Sequence, residues 1–465
     1  MSVKCIIKCF FDLGLLNVWR ARWMGLITSM VFQYSPAIQA RGFIALGTLG
    51  TQDVDDDLMY QMLVAFKTAL AASNETDTIV VVCMLRCIVK VVPALAHHSK
   101  YFDQLFWLAV ALLQSSHFAF YIQATDLLRV TIETAYRHGL FEDTSVADVM
   151  MGGRHHLDGT LGQLDRLLGL SFESSFSYSL VCVIFKGMRH SGLKASTEAV
   201  LRVLLHVTIE TVDLPDDEPD SSIHSSALAY FLALLPLCRT PPKYAQLLEE
   251  AGASDPDPPD MDVVPRINLD MLNLEKKDAA LLLVSFVAAI LTTAQGDDAE
   301  TEMLYTLLSD VGHVYPEIVS MAYVYMPLVA NIHGTDSRVN RYDGLQDRIK
   351  ETFSNSSNPN IIKAVSNIFR IALQGMSGPL FQARVNLTNQ ISDPVRLSAL
   401  RGSASTVGAT EQASHGPGKA HLQALDELHM RGLASSFQFL PTNQGHATKI
   451  ITWIPELVTK IIENI

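Results

Sequence analysis

The sequence predicts an all-α fold of short, stacked helices, and three observations lead to that prediction. Hydrophobic residues make up 49% of the chain and charged residues only 18%, against about 25% charged in average soluble proteins. Apolar residues recur at helical spacing in almost every ordered segment, whereas the alternation typical of strands is hard to find. Breaker residues divide these segments into short units. Helices that are apolar over most of their circumference bury each other best in layers.

Apolar stripes identify the helices most clearly. Positions three and four apart lie on one side of a helix, so each stripe predicts a buried face. The stripes are Met59, Met62, Leu63, Phe66 and Leu70; Leu304, Leu307, Leu308 and Val311; and Ile361, Val365, Ile368 and Ala372.

The segment from Ala279 to Gly296 is also predicted to be a buried core helix. Its strongly apolar part falls short of the roughly 20 residues that a bilayer span needs.

Proline, glycine and polar residues mark the helix ends. Proline is tolerated in the first helical turn, and glycine favours the C-terminal cap. We therefore expect one helix to open at Ser35-Pro36 and to end at Gly47 with Gly50. The other predicted boundaries are Ser73-Asn74, Pro93 with His97-His98-Ser99, and Asn358-Pro359 before a helix that begins near Asn360.

The segment from Pro36 to Leu49 fits one helix of a HEAT-type repeat. Pro36, Arg41, Ala45 and Leu46-Gly47 match that pattern, in which small residues allow close helix approach and the arginine often bonds a neighbouring repeat. A length of 465 residues exceeds the roughly 250 to 300 at which one compact core stops growing. Stacked helical hairpins bury many short apolar helices, and the chain shows no strict period. The predicted fold class is an irregular HEAT/armadillo-like α-solenoid.

Composition divides the chain into segments. Leu214 to Ser222 and Gly252 to Pro265 are acidic and contain prolines, which indicates loops. Arg401 to Gly418 is rich in small and polar residues and is predicted to be disordered, and Leu422 to Leu433 is predicted to be helical. The predicted segments are an unmatched N-terminal helix (1–18), HEAT-like helical repeats (19–250), an acidic linker (251–275), helical repeats (276–378), a flexible linker (379–420) and terminal helices (421–465).

Charge and cysteine content restrict the partners and the compartment. A net charge of -13 argues against nucleic-acid binding, which needs a basic stripe. Six cysteines without a regular framework indicate reduced thiols in a cytosolic protein. Lys8 and Asp12 interrupt the first apolar stretch, so no signal peptide is predicted. We expect no nucleic-acid partner, no transmembrane segment and a cytoplasmic location, with any membrane association supplied by upstream modules absent from these residues.

Candidate metal sites lack the spacing that metals need. His155-His156 and His97-His98 have no Cys-x-x-Cys or His-Glu-x-x-His partner, so surface or capping roles are predicted. Cys83 and Cys87 are expected to be a small apolar pair in a core. Asp55-Asp56-Asp57 is expected to cap a helix N-terminus. The aspartates from Asp255 to Asp262 are interrupted by prolines and are predicted to be a solvated loop.

Familiar catalytic signatures are also missing from the sequence. It contains no Gly-x-x-x-x-Gly-Lys-Ser/Thr, Gly-x-Gly-x-x-Gly or Gly-x-Ser-x-Gly string. The aromatic residues Phe106-Trp107, Phe118, Phe120 and Tyr121 lie among aliphatic residues, which favours core packing over base stacking. We therefore predict no catalytic, cofactor-binding or metal-binding residue, and no cofactor.

Several strings in order along the chain point to a family. The first set is Ala21-Arg22-Trp23, Phe32-Gln33-Tyr34-Ser35-Pro36 and Gln39-Ala40-Arg41; the second is Leu105-Phe106-Trp107, Ala109-Val110-Ala111 and Leu113-Gln114; the third is Gly169-Leu170-Ser171-Phe172, Ser175-Phe176 and Lys186-Gly187-Met188-Arg189-His190. Weaker matches are Ala227-Leu228-Ala229-Tyr230, Ala280-Leu281-Leu282-Leu283 to Tyr315-Pro316, and Gly432 to Ile465. Together they resemble the C-terminal helical region of neurofibromin-type Ras GTPase-activating proteins, including the fungal Ira-type proteins. The resemblance covers most of the chain from about Trp19 onward.

The resemblance implies a supporting role in Ras regulation. Members of this family speed GTP hydrolysis by inserting an arginine finger, which lies in a Phe-Leu-Arg context followed by Pro-Ala. These residues contain no such string and no recognisable lipid-binding module. The stretch from Arg239 to Lys277 is short and acidic where neurofibromin has basic clusters, so nuclear import is not expected. The resemblance implies a non-catalytic scaffold with protein partners, an indirect link to Ras and a homodimer in the full-length context.

Two other functions stay open at this point. One is a free-standing α-solenoid adaptor, which applies if Met1 is a true start. The other is an enzyme with an unfamiliar helical active site, supported by the apolar content and the scattered histidines. A deep pocket with convergent polar groups and perturbed titratable residues would favour the enzyme, whereas a shallow concave surface would favour a scaffold.

Overall fold

The computed structural model describes helices along most of the chain. The described residues are 16–32, 35–50, 54–72, 78–114, 118–168, 172–173, 176–211, 222–238, 240–253, 269–272, 298–316, 318–320, 345–376 and 444–463, with individual positions between 280 and 291. These residues contain no β-strand, and Val54 and Leu95 form an isolated bridge.

The helices are numbered in chain order. They are α1 (Leu16–Val31), α2 (Pro36–Leu49), α3 (Asp56–Ala72), α4 (Ile79–Val91), α5 (Phe102–Leu113), α6 (Phe118–Arg137), α7 (Val146–Gly152), α8 (Asp158–Leu168), α9 (Phe176–Phe185), α10 (Lys194–Glu210), α11 (Leu228–Leu234), α12 (Pro241–Glu250), α13 (Asp298–Val314), α14 (Leu345–Asn355), α15 (Pro359–Met376) and α16 (Gln444–Glu463). Short 3-10 turns follow several of them at Val92–Ala94, His155–Leu157, Lys186–Arg189, Leu235–Leu237 and Leu269–Leu272.

The chain divides into two compact units. The first comprises 1–164, 192–212 and 439–465, and the second comprises 165–191 and 213–438. In the first unit α1 packs on α2, α2 on α4, α4 on α6 and α6 on α10, while α3 packs on α4 and α5 packs on α6 and α7. Apart from the α6–α10 contact, these helices contact their chain neighbours and their next-but-one neighbours, as stacked helical hairpins do. The predicted class, an all-α irregular HEAT/armadillo-like α-solenoid, is confirmed.

Small residues allow the helices of the first unit to approach closely. A β-carbon at Gly47 would lie 3.1 Å from the Cα of Cys87, where α2 meets α4. A β-carbon at Gly42 would lie 2.9 Å from a methyl group of Val31, where α1 meets α2. This is the close approach that the HEAT-type pattern predicts. Arg41, in contrast, is exposed.

Helix α5 is buried over its whole circumference. Every residue from Gln104 to Leu113 is buried, and Asp103 is half-buried. Side chains point in all directions around a helix, so burial of a continuous run requires neighbours on every side. Among the described helices, α6, α7 and α16 make the main contacts with α5.

The second unit has its own packed helices. Helices α9 and α11 pack together, and all residues of α11 are buried. Helix α13 packs on α15, and α14 packs on α15. Glu302 of α13 is buried and accepts hydrogen bonds from the side-chain amides of Asn358 (2.7 Å) and Asn360 (2.8 Å). These bonds hold the start of α15 against α13.

The predicted stripes and boundaries agree with the structure. All residues of the three apolar stripes are buried, as are the described positions between Ala280 and Leu291. Helix α2 begins at Pro36 and has Gly50 as its C-terminal cap, with Gly47 inside its last turn. Pro93 lies in the 3-10 turn that follows α4, and α15 begins at Pro359.

Some predictions lie outside the described residues. Residues 1–15, 214–221, 254–265 and 377–443 are among those not described. Several features therefore stay predictions. They are the N-terminal helix, the acidic stretches, the aspartates from Asp255 to Asp262, the linker at 379–420, a helix from Leu422 to Leu433, the boundary at Ser73-Asn74 and the segment limits. Among the described helices, none has the length and hydropathy required to span a bilayer.

Candidate functional site

The predicted histidine pairs lie on the surface. His155, His156, His97 and His98 are exposed. His155 contacts Asp158 at 3.8 Å from its Nδ1, one helical turn away. Across the described residues, no group of three or more His, Cys, Asp or Glu side chains is placed to hold a metal ion.

The acidic run at the start of α3 caps that helix. The Oδ1 of Asp55 accepts a hydrogen bond from the backbone N–H of Leu58 at 2.9 Å. Asp56 accepts a hydrogen bond from the hydroxyl of Ser99 at 2.6 Å, which ties α3 to the loop after α4. Carboxylates at this end satisfy N–H groups that the first helical turn leaves without partners. The predicted capping role is thus observed for Asp55, whereas Asp56 bonds Ser99.

The cysteine pair lies within the packed helices. Cys87 is buried at the α2–α4 contact, and burial raises the pKa of its thiol to about 12. Cys83, which is half-buried, has a pKa that is raised by the same desolvation. A thiol held in its protonated form is a poor nucleophile and a poor metal ligand.

A polar anchor, formed by Trp107 and Arg154, joins α5 to α7 and to the turn after α7. The indole N–H of Trp107 donates a hydrogen bond to the carbonyl of Met150 at 2.7 Å. The guanidinium of Arg154 lies 4.4 Å from the Trp107 ring centre and contacts Asp158 at 3.2 Å. Both Trp107 and Arg154 are buried. Sequence reasoning identified Trp107 as a core residue and did not identify Arg154.

A second contact accompanies this anchor. Gln104 donates to the Gly153 carbonyl at 3.4 Å, and a β-carbon at position 153 would overlap the Asp103 carboxylate. Burial raises the pKa of the Asp103 carboxyl, and hydrogen bonds from Gln104 oppose that shift. The Asp103 carboxylate occupies the space beside Gly153, so the geometry indicates a packing contact between α5 and the turn after α7.

The outer face of α1, formed by Val18, Trp19, Trp23 and Leu26, is apolar and exposed. Each of these side chains is between 45% and 53% exposed. Their spacing places them on one side of the helix, while Ile27 and Val31 lie buried on the other. Tryptophan and other large apolar groups concentrated on a surface mark protein interaction sites.

The charge of α1 differs from that of the whole chain. Arg20 and Arg22 are its charged residues, whereas the chain carries a net charge of -13. The Arg22 guanidinium lies 5.8 Å from the Trp19 ring centre. The outer face of α1 thus combines aromatic area with the positive charge of Arg22, which is exposed.

Two proteins of Saccharomyces cerevisiae are similar to this chain. Inhibitory regulator protein IRA2 is 23% identical over 194 residues, which cover 40% of this chain and 6% of IRA2. Inhibitory regulator protein IRA1 is 22% identical over 297 residues, which cover 62% of this chain and 9% of IRA1. The predicted resemblance to Ira-type proteins is confirmed. No protein-family model matches the chain.

The similarity concerns a small part of the Ira-type proteins. The aligned regions span 6% of the length of IRA2 and 9% of the length of IRA1. In this chain the aligned length is far greater than any single helix, so the similarity extends over stacked helices and not over one motif.

Proposed function

We propose that this chain is a non-catalytic helical scaffold region of a neurofibromin-type Ras GTPase-activating protein, which supports negative regulation of Ras through assembly or dimerisation. The observation that carries the proposal is the similarity to two inhibitory regulator proteins, which extends over 62% of the chain for IRA1. The sequence contributes a second reason, because it lacks the Phe-Leu-Arg string of the arginine finger.

Three buried titratable groups support a structural role at their own positions. Tyr178, Cys182 and Tyr230 are buried, and in each case desolvation is the main cause of a raised pKa. A catalytic acid or base needs contact with a substrate and a pKa near the working pH. Groups that are buried between helices and held in their neutral form contribute to packing.

The outer face of α1 supplies the contact through which the scaffold assembles. Trp19 and Trp23 offer the kind of side chain that dominates binding energy at interfaces. Their exposed position leaves apolar area that a second copy of the chain covers on association. The face is continuous along one side of a single helix, so a few substitutions remove it without disturbing the buried side.

Sedimentation velocity over a wide concentration range tests this assembly. We expect the chain to self-associate, and we expect a Trp23→Glu, Leu26→Glu variant to weaken association by roughly 30-fold or more, as loss of an interface hot spot does. Phe353→Glu is the matched control, because Phe353 is also exposed, at 46%, but lies on α14 of the other unit. A chain that stays monomeric at all concentrations, or a control with the same effect, would contradict the proposed assembly.

A further inference from the structure

The last described helix packs against a part of the fold far from it in sequence. Helix α16 contacts α3, α5 and the turn His155–Leu157, all within the first unit. In a repeat stack most contacts join neighbouring repeats. The contact between α3 and α16 is therefore additional to the contacts that join neighbouring helices.

Helix α16 has the pattern of a peptide helix that binds in a groove. Ile454, Leu457, Val458 and Ile461 are fully buried. They follow the i, i+3, i+4, i+7 spacing by which amphipathic helices anchor in apolar grooves. Glu456, Lys460 and Glu463 lie on the exposed side. One side of the helix thus binds and the other faces solvent.

The helix is poorly suited to exist alone. Pro455 lies inside α16, and an internal proline removes one backbone hydrogen bond and weakens an isolated helix strongly. The hydroxyl of Thr459 donates to the Pro455 carbonyl at 2.7 Å. Formation of α16 therefore depends on the apolar contacts that it makes when docked.

The receiving surface is built by other helices. Helix α5 is buried on all sides, with α6 and α7 packing on it besides α16. Helix α3 also packs on α4, so each of the two helices has contacts in the fold that do not involve α16.

We propose that the groove formed by α3, α5 and the turn His155–Leu157 is a helix-binding site whose resident ligand is α16. The helix is held there by apolar side chains at four positions and is joined to the site by the chain that precedes it. Once that covalent connection is cut, α16 exchanges with a second copy of the same helix supplied as a free peptide. This inference does not depend on the link to Ras.

The experiment uses the full chain with a protease cleavage sequence inserted after Gly418, outside the described helices. After cleavage we expect the C-terminal piece to co-elute with the rest of the chain in size-exclusion chromatography. A fluorescent peptide of residues 439–465 should then bind the cut chain, as measured by anisotropy, and bind the uncut chain at least roughly 10-fold more weakly, because the tethered helix competes.

Matched peptides identify the anchor side. Leu457→Asp in the peptide should weaken binding by roughly 30-fold or more, as loss of a buried anchor does. Glu456→Gln, on the exposed side, should leave binding unchanged. The substitutions are carried by the peptide, so folding of the chain is not affected by them.

Each other outcome overturns part of the proposal. Release of the C-terminal piece on cleavage, with no peptide binding, would show that the groove does not hold a helix. Retention of the piece without exchange over a day would show that α16 is a permanent element of the core. Equal binding of the Leu457→Asp and Glu456→Gln peptides would show that the apolar anchors do not determine binding.

Discussion

Replacing Trp107 by phenylalanine tests the polar anchor that joins α5 to α7 and to the turn after α7. Trp107 is fully buried, donates to the Met150 carbonyl at 2.7 Å and lies beneath the Arg154 guanidinium at 4.4 Å. Phenylalanine keeps an aromatic ring at this position but has no N–H donor. The change therefore removes the hydrogen bond and part of the ring volume while it retains the general packing.

The magnitude follows from these two losses. A buried acceptor left without its partner costs about 1–3 kcal/mol. The cavity left by the smaller ring costs about 1–2 kcal/mol, a fraction of the roughly 3–5 that complete removal of a buried tryptophan side chain costs. We expect Trp107→Phe to lower the free energy of unfolding by about 3 kcal/mol.

Urea unfolding followed by far-UV circular dichroism measures this change. Tyr60→Phe is the control, because Tyr60 is 43% exposed and its replacement should alter the free energy of unfolding by less than about 0.5 kcal/mol. If both variants unfold at the same urea concentration as the unaltered chain, the Trp107 contacts do not stabilise the first unit.

Three further predictions concern packing, a buried carboxylate and pH. Gly47→Leu should destabilise the chain by about 1–3 kcal/mol in thermal unfolding through overpacking against α4, whereas Gly25→Leu should not, since a β-carbon at Gly25 meets nothing within 4 Å. Glu302→Ala should cost about 1–3 kcal/mol in urea unfolding, because two asparagine amides lose their acceptor; a change below about 0.5 kcal/mol would count against it. Burial lowers the pKa of the Lys186 ammonium to about 7, so between pH 7 and 8.5 the unfolded chain binds more protons than the folded chain. The free energy of unfolding should therefore rise with pH relative to Lys186→Met, by up to about 1.4 kcal/mol per pH unit, and parallel pH profiles of the two chains would contradict this.

Much of the helical architecture could be predicted because its signals are local. The stripe from Met59 to Leu70 is fixed by helical geometry alone, and Pro36 and Pro359 mark helix starts through their own backbone restriction. The structure places all of these as expected. Capping by Asp55 is local in the same sense, because donor and acceptor are three residues apart.

Contacts between distant residues could not be predicted in this way. Nothing in the sequence around Trp107 specifies that Arg154 will cover its ring, because that choice depends on how α5 meets the turn after α7. The docking of α16 on α3 is equally non-local. The outer face of α1 was missed for another reason: Trp19 and Trp23 are apolar, and apolar composition alone does not separate a buried face from an exposed interface.

A single-turnover assay of GTP hydrolysis by GTP-loaded Ras tests whether this chain is a non-catalytic region. The chain is added in excess, and a complete arginine-finger activator is measured alongside as a positive control. We predict that the chain leaves the hydrolysis rate unchanged, as a non-catalytic scaffold region should. An acceleration approaching the roughly 10³- to 10⁵-fold that an arginine finger supplies would contradict the claim.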